Sequence, residues 1–553
     1  MKLAGLAGLL ALVPGTALWR RKRLRAVMRG YRALRASSRL GAIGEIKNEL
    51  TETVVPSVSG RFSPAFMGAA IVAAERVLRQ YLLVLIGGVG LNRSLLMCAG
   101  DPRRPVVYPM PIYWQEAVRR NGFAVSQWRC QLLWRGYVLG MWAYGAFRAL
   151  RILVAGLRAG GAPRPDGMNA VCFMYLSRAN LPASDDDTSS HDIVSWFSRW
   201  PGRSQRVSKV WHSVPGVPCT RVGDLALEFR PDAIAPLCGR DELLAYARWS
   251  LRAILTAGAD LLRGRWWHAL LLSQATVAAQ ARCVPPESLA RTYYFHNSGW
   301  IYRPFWTYEV EAAGGAAVMY FYSTNCEPFK RAGAYPPMYY GYRSMTWSSY
   351  LVWDEAQADF VRRAIGPSAK IDVVGPIWFQ GSEQILAPAP GFSVAVFDVT
   401  PTRASWYQAL ALDTEFYVPE TVNAFIRDVS EEVAALGGRM VWKRKRQIGR
   451  MAHPGYRACA ERLGCDEHVS LVDPAVSALR VIESTTVTIS LPFTSTALLA
   501  CDSGKPSVFY DPSGRVQTDD RAAHGVPILS GRDALRAWLV DQYRTFEQRQ
   551  VPA

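Results

Sequence analysis

The stretch VTISLPFTSTALLA at residues 487–500 combines two different hydrophobic patterns. Residues 487–490 are mostly β-branched and predict a buried strand, whereas residues 497–500 predict a helical segment. Pro492 and the hydroxyl residues 494–496 separate the two elements. A strand followed at once by a helix is the repeating unit of an α/β protein with a parallel sheet.

The same alternation continues through the last two-thirds of the chain. The predicted strands are 170–175, 292–296, 316–322, 371–374, 394–397, 439–442, 487–490 and 507–510. The predicted helices are 243–281, 355–364, 420–436, 475–483 and 532–548. Because open parallel sheets bind ligands at the carboxyl ends of their strands, polar residues just after a strand are candidate site residues.

Two Gly/Pro-rich runs, at residues 160–167 and 387–391, are typical of linkers. A chain of 553 residues is too long for one ordinary core. We therefore predict three segments: 1–165, 166–385 and 386–553.

The charge of the chain is concentrated at its N-terminus. The formal net charge is +19, and residues 1–40 contain ten Lys and Arg residues, with no acidic residue before Glu45. Most of these charges follow the uncharged stretch 3–19, whereas those of a signal peptide precede its apolar segment. This order disfavours a cleaved export signal.

Hydrophobic residues make up 50% and charged residues 20% of the chain, which excludes a disordered or fibrous protein.

Two interpretations of the basic arm stay open. It is either an interfacial helix on anionic lipid or an ordinary N-terminal helix whose basic face is solvated.

The segments 69–91 and 129–158 lack about 20 uninterrupted apolar residues, so we predict buried helices rather than membrane spans. The second, which is basic and Trp-rich, alternatively lies on a membrane. The ten cysteines form no CxxC pair and predict a reduced, cytoplasmic protein.

Polar residues around the predicted strands of the last segment favour an anion site. They are Asp398, the basic run Lys443, Arg444, Lys445 and Arg446, the pair His453 and Pro454, and the hydroxyl residues Thr494, Ser495 and Thr496. A helix N-terminus offers backbone N–H groups to a phosphate, and basic side chains add charge-assisted hydrogen bonds. The alternatives are plain helix capping for the hydroxyl residues and a solvated loop for the basic run.

Residues 490–497 (SLPFTSTA) and 504–512 (GKPSVFYDP) resemble the PFTS-motif family of surface polysaccharide biosynthesis proteins. The resemblance extends to 396–401 (VFDVTP) and 373–376 (VVGP). It implies a glycosyltransferase of the α/β class with two Rossmann-like domains in the GT-B arrangement, preceded here by a basic, mostly helical N-terminal region. The order His-Pro and then Ser/Thr is also similar to bacterial sialyltransferases and capsular Kdo transferases, which use CMP-activated sugars. The sequence leaves the nucleotide open among CMP, UDP and GDP.

The resemblance implies an acceptor domain at 166–385 and a donor domain at 386–553. An inverting transferase needs one general base for the acceptor hydroxyl. Asp398 is the first candidate because a strand-end carboxylate can face the cleft, and His296 and Glu309 are the further candidates. The alternatives are a turn residue for Asp398 and a structural role for His296.

We therefore expect an inverting glycosyltransferase that builds a surface polysaccharide such as a capsule. It would transfer sugar from a nucleotide-sugar donor to a lipid-linked or growing glycan, as a peripheral protein bound to anionic lipid at the cytoplasmic face of the inner membrane. The acidic run 185–187 adjoins no apolar strand, so we expect a solvated loop, no required metal and no cofactor. The alternative is a non-catalytic scaffold or regulator of a polysaccharide assembly complex. No zinc-finger, RNP-like or helix-turn-helix pattern supports nucleic-acid binding.

Overall fold

The computed structural model gives an α/β protein with two sheets. It describes residues 17–37, 39, 41–53, 61–87, 89–101, 103–182, 192–200, 202, 207–217, 219–296, 302–321, 323–324, 327–330, 333–338, 341–376, 386–401, 416–445, 448–449 and 452–550.

Helices form the N-terminal region and alternate with strands thereafter. Those before the first strand are α1 (Ala17–Ala36), α2 (Ala42–Thr53), α3 (Pro64–Met67), α4 (Ala74–Ile86), α5 (Val89–Gly100), α6 (Ile112–Arg120) and α7 (Gln127–Arg158), with a 3₁₀ helix at Gly68–Ala73. The later ones are α8 (Ile193–Arg199), α9 (Arg240–Leu262), α10 (Trp267–Cys283), α11 (Trp306–Ala312), α12 (Glu355–Ile365), α13 (Pro419–Ala435), α14 (Pro454–Leu463), α15 (Ala478–Glu483), α16 (Ser495–Asp502) and α17 (Arg532–Gln550). Short 3₁₀ helices lie at Arg178–Asn180, Pro286–Ser288, Tyr342–Ser344 and Arg521–Ala523.

The first sheet has eight strands in the order β3-β4-β2-β1-β5-β6-β7-β8. Its strands are β1 (Ala170–Phe173), β2 (Lys209–His212), β3 (Thr220–Val222), β4 (Leu225–Phe229), β5 (Thr292–His296), β6 (Ala316–Tyr320), β7 (Ser349–Val352) and β8 (Lys370–Val373). Only the edge strand β3 pairs antiparallel with its neighbour; the other pairings in this sheet are parallel.

The second sheet has six parallel strands in the order β11-β10-β9-β12-β13-β14. Its strands are β9 (Ser393–Phe397), β10 (Arg439–Lys443), β11 (Val469–Val472), β12 (Val487–Ser490), β13 (Ser507–Asp511) and β14 (Ile528–Ser530). Numbered from its own first strand, this order is 3-2-1-4-5-6, the doubly wound Rossmann order. The predicted class, two Rossmann-like domains after a helical N-terminal region, is confirmed.

The helical N-terminal region packs against the first sheet. One core runs continuously from Val27 in α1 to Ala364 in α12 and covers one face of that sheet, and a smaller core around Phe173 covers the other face. The second sheet has its own cores on its two faces, around Val396 and Ala395. The first two predicted segments therefore share a core, and the third folds around separate ones.

The predicted helix 243–281 is wrong as one element. It is divided into α9 and α10, and Gly264 lies in the interruption with a φ of +75°. This left-handed conformation ends a helix and is available to glycine at little cost. The hydrophobic pattern continues through the break because both helices bury a face in the same core.

The described part of the basic arm is helix α1. Tyr31 and Leu34 are buried, while Arg29 is exposed. Gly30 lies against α5, where an added Cβ would meet the carbonyl oxygen of Leu96 at 1.7 Å. The helix of the arm thus packs onto the helical region and presents basic residues to solvent.

By length and apolar composition alone, one helix among the described residues, α7, is long enough to cross a membrane. The helices at Pro64–Ile86 and Val89–Gly100 pass the same criterion only together, with a bend of 55° between them. Less than a quarter of the most apolar window of α7 is buried, so the prediction of a buried helix over 129–158 is wrong.

Candidate functional site

In both sheets the strand order reverses once, and several of the candidate residues, among them Asp398 and His296, lie at these positions. In the second sheet the chain runs outward from β9 to β10 and β11 and then returns to place β12 beside β9. Ser490, the last residue of β12, is in register with Phe397, the last residue of β9. Asp398 and Leu491 therefore begin neighbouring loops, and the N–H of Leu491 donates to the carbonyl oxygen of Phe397 at 2.9 Å. Ligands of doubly wound sheets bind in the crevice at this position.

The loop between β12 and α16 is a tight turn. Phe493 has a φ of +62°, in the left-handed region that bulky residues rarely adopt. Its ring is buried and packs 5.8 Å from that of Phe509. The hydroxyl of Thr494 donates to the carbonyl oxygen of Leu491 at 2.9 Å. Packing and a local hydrogen bond together hold the unusual backbone and fix where α16 begins.

The N-terminus of α16 is suited to an anion. Thr494 is its N-cap residue, but the Thr494 side chain accepts no hydrogen bond from the first turn. The hydroxyl of Thr496 lies 2.9 Å from that of Ser490. Ser495 Oγ lies 3.4 Å from the hydroxyl of Ser323, which follows β6 in the first domain. The first N–H groups of a helix lack intrahelical partners and carry the positive end of its dipole, so this helix start can bind a phosphate beside the first domain.

Asp398 is buried at the carboxyl end of β9. Its Oδ2 accepts a hydrogen bond of 2.5 Å from the hydroxyl of Tyr456 in α14. Burial raises the pKa of Asp398 to about 6, and the hydrogen bond from Tyr456 and the charge of Arg444 oppose that rise. Burial and the neighbouring Asp398 also raise the pKa of Tyr456. The carboxylate therefore connects the end of β9 to α14.

The described residues of the basic run after β10, Lys443 to Lys445, differ in burial and in their contacts. Lys443 is buried, its Nζ donates to the carbonyl oxygen of Pro474 at 3.2 Å, and burial lowers its pKa. Arg444 is half-buried and close enough to Asp398 to lower the pKa of that carboxyl. Lys445 is exposed. Both Arg444 and Lys443 lie close to the buried carboxylate, and the charge of Asp398 opposes the lowering of the pKa of Lys443.

His453 is the N-cap residue of α14, and Pro454 occupies the first turn of that helix. The imidazole Nδ1 accepts a hydrogen bond of 3.1 Å from the N–H of Gly455. Because Nδ1 is the acceptor, the proton of the neutral ring lies on Nε2. The backbone N–H of His453 donates to the carbonyl oxygen of Pro401 at 3.0 Å, which brings this helix start beside the loop after β9.

His296 is the last residue of β5, where the order of the first sheet reverses between β1 and β5. The N–H of Met174, just after β1, donates to the carbonyl oxygen of Tyr294 at 2.9 Å, so the two strands end together. His296 is half-buried, and burial lowers its pKa to about 4. Its imidazole is therefore neutral at physiological pH and able to accept a proton.

Glu309 lies in a different environment. It is buried in α11, 2.9 Å from the guanidinium of Arg282 and 2.9 Å from the N–H of Ala69, which donates to it. Arg282 is near the end of α10, before β5 begins, and so lies toward the amino-end edge of the sheet. The structure therefore does not bring Glu309 to the carboxyl edge with His296. Its contacts join α11 to α10 and to the 3₁₀ helix Gly68–Ala73 of the N-terminal region.

The loop that follows β6 contacts the second domain. The N–H of Lys330 donates to Asp520 at 2.7 Å, and the hydroxyl of Tyr335 donates to the same carboxylate at 3.1 Å. The ring of Phe329 lies 4.7 Å from that of Phe493. The turn before α16 is therefore packed partly by the first domain, and the carboxyl edges of β6 and β12 meet.

Several predicted residues lie outside the described part of the chain. They are Arg446 and the acidic run 185–187.

Sequence reasoning did not identify Tyr456 or Phe329. Tyr456 lies three residues after His453, and a spacing of three or four places helical side chains on one face, so this signal was present. Phe329 carries no local signal, because its contact with Phe493 is made across the two domains.

Comparison with known proteins agrees with the motif. A sequence profile described as "Polysaccharide biosynthesis PFTS motif protein" matches residues 249–539, which is more than half of the chain and includes Pro492–Ser495. No curated protein matches.

Solved structures resemble the chain only distantly. A UDP-GlcNAc 2-epimerase from Neisseria meningitidis bound to UDP-GlcNAc has 9% identity and a TM-score of 0.33, over 68% of this chain and 93% of that chain. Os79 from O. sativa, in complex with UDP and deoxynivalenol-3-glucoside, has 14% identity and a TM-score of 0.31, over 68% of this chain and 94% of that chain. The site described above rests on the strand order and contacts of this chain. By its profile match, the chain belongs to the polysaccharide biosynthesis PFTS motif protein family.

Proposed function

We propose that the protein is a glycosyltransferase of surface polysaccharide biosynthesis. It transfers a sugar from a nucleotide-sugar donor, held by the second domain, to a lipid-linked or growing glycan held by the first. The observation that carries this proposal is the start of α16, which lies at the reversal of strand order and beside the first domain. The start of α14 lies beside the loop after β9 and brings the imidazole of His453 to that loop.

The proposed reaction uses these groups in defined roles. The acceptor hydroxyl attacks the anomeric carbon of the donor, and the bond from that carbon to the phosphate oxygen breaks. The negative charge that develops on the leaving nucleotide is stabilised by the N–H groups at the start of α16 and by Nε2–H of His453. The acceptor proton passes to a general base, which is His296 or Asp398. One displacement at the anomeric carbon inverts its configuration.

The remaining parts of the proposal concern location and ions. We place the enzyme as a peripheral protein at the cytoplasmic face of the inner membrane, where lipid-linked acceptors are available to it. Exposed basic residues such as Arg29 on α1 favour attraction to an anionic surface. We propose that transfer needs no metal ion, because the N-terminus of α16 and His453 supply the electrostatic stabilisation.

The test is release of nucleotide from a panel of CMP-, UDP- and GDP-sugars with the full chain and a glycan acceptor. Titration with CMP, UDP and GDP identifies the nucleotide independently of turnover. Ser495→Ala should weaken binding of the correct nucleotide roughly tenfold to a hundredfold, since a hydrogen bond to a charged group contributes about 1.5–3 kcal/mol. Ser503→Ala is the matched control at the other end of α16, where the hydroxyl donates to the carbonyl oxygen of Leu499.

Each outcome is decisive for one part of the proposal. Absence of binding and turnover with every donor, while a known transferase is active in the same assay, contradicts the transferase and favours the scaffold alternative. Loss of turnover in EDTA contradicts metal independence. Retention of the donor's anomeric configuration in the product, measured by NMR, contradicts the single displacement.

A further inference from the structure

Helices α7 and α9 present apolar side chains to solvent along most of their length. On α7 the exposed residues Trp128, Leu132, Leu139, Leu150 and Leu157 form one stripe. Their separations from Trp128 are 4, 11, 22 and 29 residues, which are close to whole numbers of helical turns. The stripe therefore extends along about eight turns, or roughly 43 Å, of one side of the helix.

Helix α9 carries a second stripe of the same kind. Leu244, Leu251, Leu255 and Leu262 are exposed, and Leu262 retains 92% of its accessible surface. Their separations from Leu244 are 7, 11 and 18 residues, again close to whole turns. Soluble proteins expose single leucines routinely, but two aligned rows on neighbouring helices form a contiguous patch.

The two stripes lie side by side. The indole of Trp142 donates to the carbonyl oxygen of Ile254 at 3.1 Å, and Leu243 lies against Gly156. These contacts pair α7 and α9 antiparallel, so that Leu150 and Leu251 lie at the same level. Both helices pack on α10, which is almost completely buried, so their opposite sides are exposed together. We call this surface the leucine face; it consists of the two stripes.

Basic residues border the leucine face. Helix α7 has five arginines and no acidic residue. Arg151 and Arg252 are exposed, one on each helix. The acidic side chains of Glu242 and Asp260 in α9 are buried, which leaves Asp241, at the start of the helix, exposed.

A concave site at the start of α7 adjoins this surface. A shallow cavity of about 540 Å³ is lined by Ile112, Gln127, Trp128, Gln131, Leu132 and Arg135. The guanidinium of Arg129 stacks over the ring of Trp128 at 5.1 Å. Tryptophan and arginine are the side chains that occupy the boundary between lipid tails and headgroups.

We infer that the leucine face is the surface by which this protein lies on an anionic lipid bilayer. The stripes enter the boundary between headgroups and acyl chains, and the bordering arginines bind lipid phosphates. Helix α7 lies in the plane of the membrane, because its other side, including Trp134, Val138 and Ala149, is buried in the core. A crossing orientation would require these contacts to be broken. The inference rests on the proposed membrane location and assigns it to this face rather than to the arm.

The test is sedimentation of the full chain with phosphatidylcholine vesicles, with and without phosphatidylglycerol, in the absence of any donor sugar. We expect binding that requires phosphatidylglycerol. Leu150→Glu with Leu251→Glu should weaken it roughly tenfold or more, because each change removes a leucine that enters the bilayer and adds a negative charge. Arg151→Glu with Arg252→Glu, which leaves the apolar residues intact, should weaken vesicle binding and make the remaining binding less sensitive to salt concentration. Leu471→Glu, at an exposed leucine in β11, is the matched control and should bind as the unchanged protein does.

Circular dichroism and gel filtration establish that each variant is folded. Unchanged vesicle binding by both double variants overturns the inference, and loss of binding only in Leu24→Glu on α1 assigns the contact to the arm instead. A protein that binds no vesicles but changes from dimer to monomer in Leu150→Glu with Leu251→Glu also overturns it, since the face would then bind a second copy. Because no donor is present, these results do not depend on the transferase activity.

Discussion

Asp398 and His296, the two candidate bases that lie at a carboxyl edge, respond to burial in opposite directions. Burial raises the pKa of Asp398 to about 6 and lowers that of His296 to about 4. In both cases the low-dielectric surroundings disfavour the charged form. At neutral pH the result is a carboxylate bonded to Tyr456 and a neutral imidazole at the reversal of the first sheet. Asp398 is buried and already bonded to Tyr456, whereas His296 is only half-buried, so we favour His296 as the base and Asp398 as a residue that positions α14.

We predict that Asp398→Asn stabilises the protein above pH 6. The folded pKa of Asp398 lies above the ordinary value of 3.8, so the native state holds a proton that the unfolded chain has released between about pH 4 and 6. Asp398 therefore contributes to the free energy of unfolding at low pH, where it is protonated. This contribution is lost as the pH rises through 6. The asparagine oxygen still accepts from Tyr456 and carries no charge. The free energy of unfolding at pH 7.5 should rise on the order of 1–3 kcal/mol, measured by chemical denaturation.

Asp428→Asn is the matched control for that change. Asp428 is also buried and accepts a hydrogen bond from a tyrosine, Tyr510, at 2.8 Å. An equal or larger gain in stability for this variant would show that the effect does not come from the environment of Asp398. Loss of more than about a hundredfold in the turnover of Asp398→Asn, with stability retained, would instead make Asp398 the base.

We predict that kcat/KM stays level from pH 8 to about pH 5 and falls below that value as His296 becomes protonated. His296→Gln should lower turnover by about a hundredfold or more, since general base catalysis contributes on that order. The folded pKa lies below the ordinary 6.5, so between about pH 4 and 6.5 only the unfolded chain binds the proton. The free energy of unfolding therefore falls as the pH is lowered through this range. His296→Gln should not show this part of the pH dependence. A rate that already falls near pH 6.5 contradicts this assignment.

At the scale of elements, sequence pattern located most of the strands that form the site. The predictions 292–296 and 487–490 match β5 and β12, and those for β9, β10 and β13 differ by one residue at an end. These strands are buried on both faces of a parallel sheet, so their apolar runs are continuous and easily recognised. The pattern did not indicate β2, β3, β4, β11 or β14. Strands β3, β4, β11 and β14 include exposed or half-exposed residues, which weakens the hydrophobic signal.

We predict that two substitutions of His453 separate helix capping from ligand binding. His453→Ala removes the acceptor for the N–H of Gly455 and should lower the free energy of unfolding by about 1 kcal/mol. His453→Asp supplies a good N-cap and should restore that stability, but it replaces Nε2–H with a negative charge. Nucleotide binding, followed by calorimetric titration, should therefore remain weak in both variants. Recovery of binding in His453→Asp would show that His453 acts only as a cap.

At the scale of the whole molecule, the two domains are joined through the loop after β6. Asp520 accepts hydrogen bonds from Lys330 and Tyr335 of the first domain and from Ala522 of its own domain. A further contact places His524 Nδ1 2.7 Å from the carboxylate of Asp354. The site lies where these contacts hold the carboxyl edges together.

We predict that Asp520→Ala uncouples the domains. Three donors lose their acceptor, and the one in a buried hydrogen bond, the N–H of Ala522, is left unpaired at a cost of about 1–3 kcal/mol. In scanning calorimetry the unfolding transition should broaden or divide into two, and nucleotide affinity should fall because the start of α16 loses its position beside Ser323. Asp533→Ala, at a fully exposed aspartate in α17, is the control. A single unchanged transition would show that the domains are held together by other contacts.

The sequence by itself determined the α/β class, the strand ends that carry Asp398 and His296, and the PFTS motif. These features depend on local periodicity and on the order of residues along the chain. Only the tertiary structure decided that Glu309 pairs with Arg282 away from the edge, that Asp398 bonds to Tyr456, and that the leucines of α7 and α9 form one face. Each of these depends on the packing of elements far apart in the chain, and periodicity shows that a helix has an apolar side without showing whether the protein covers it.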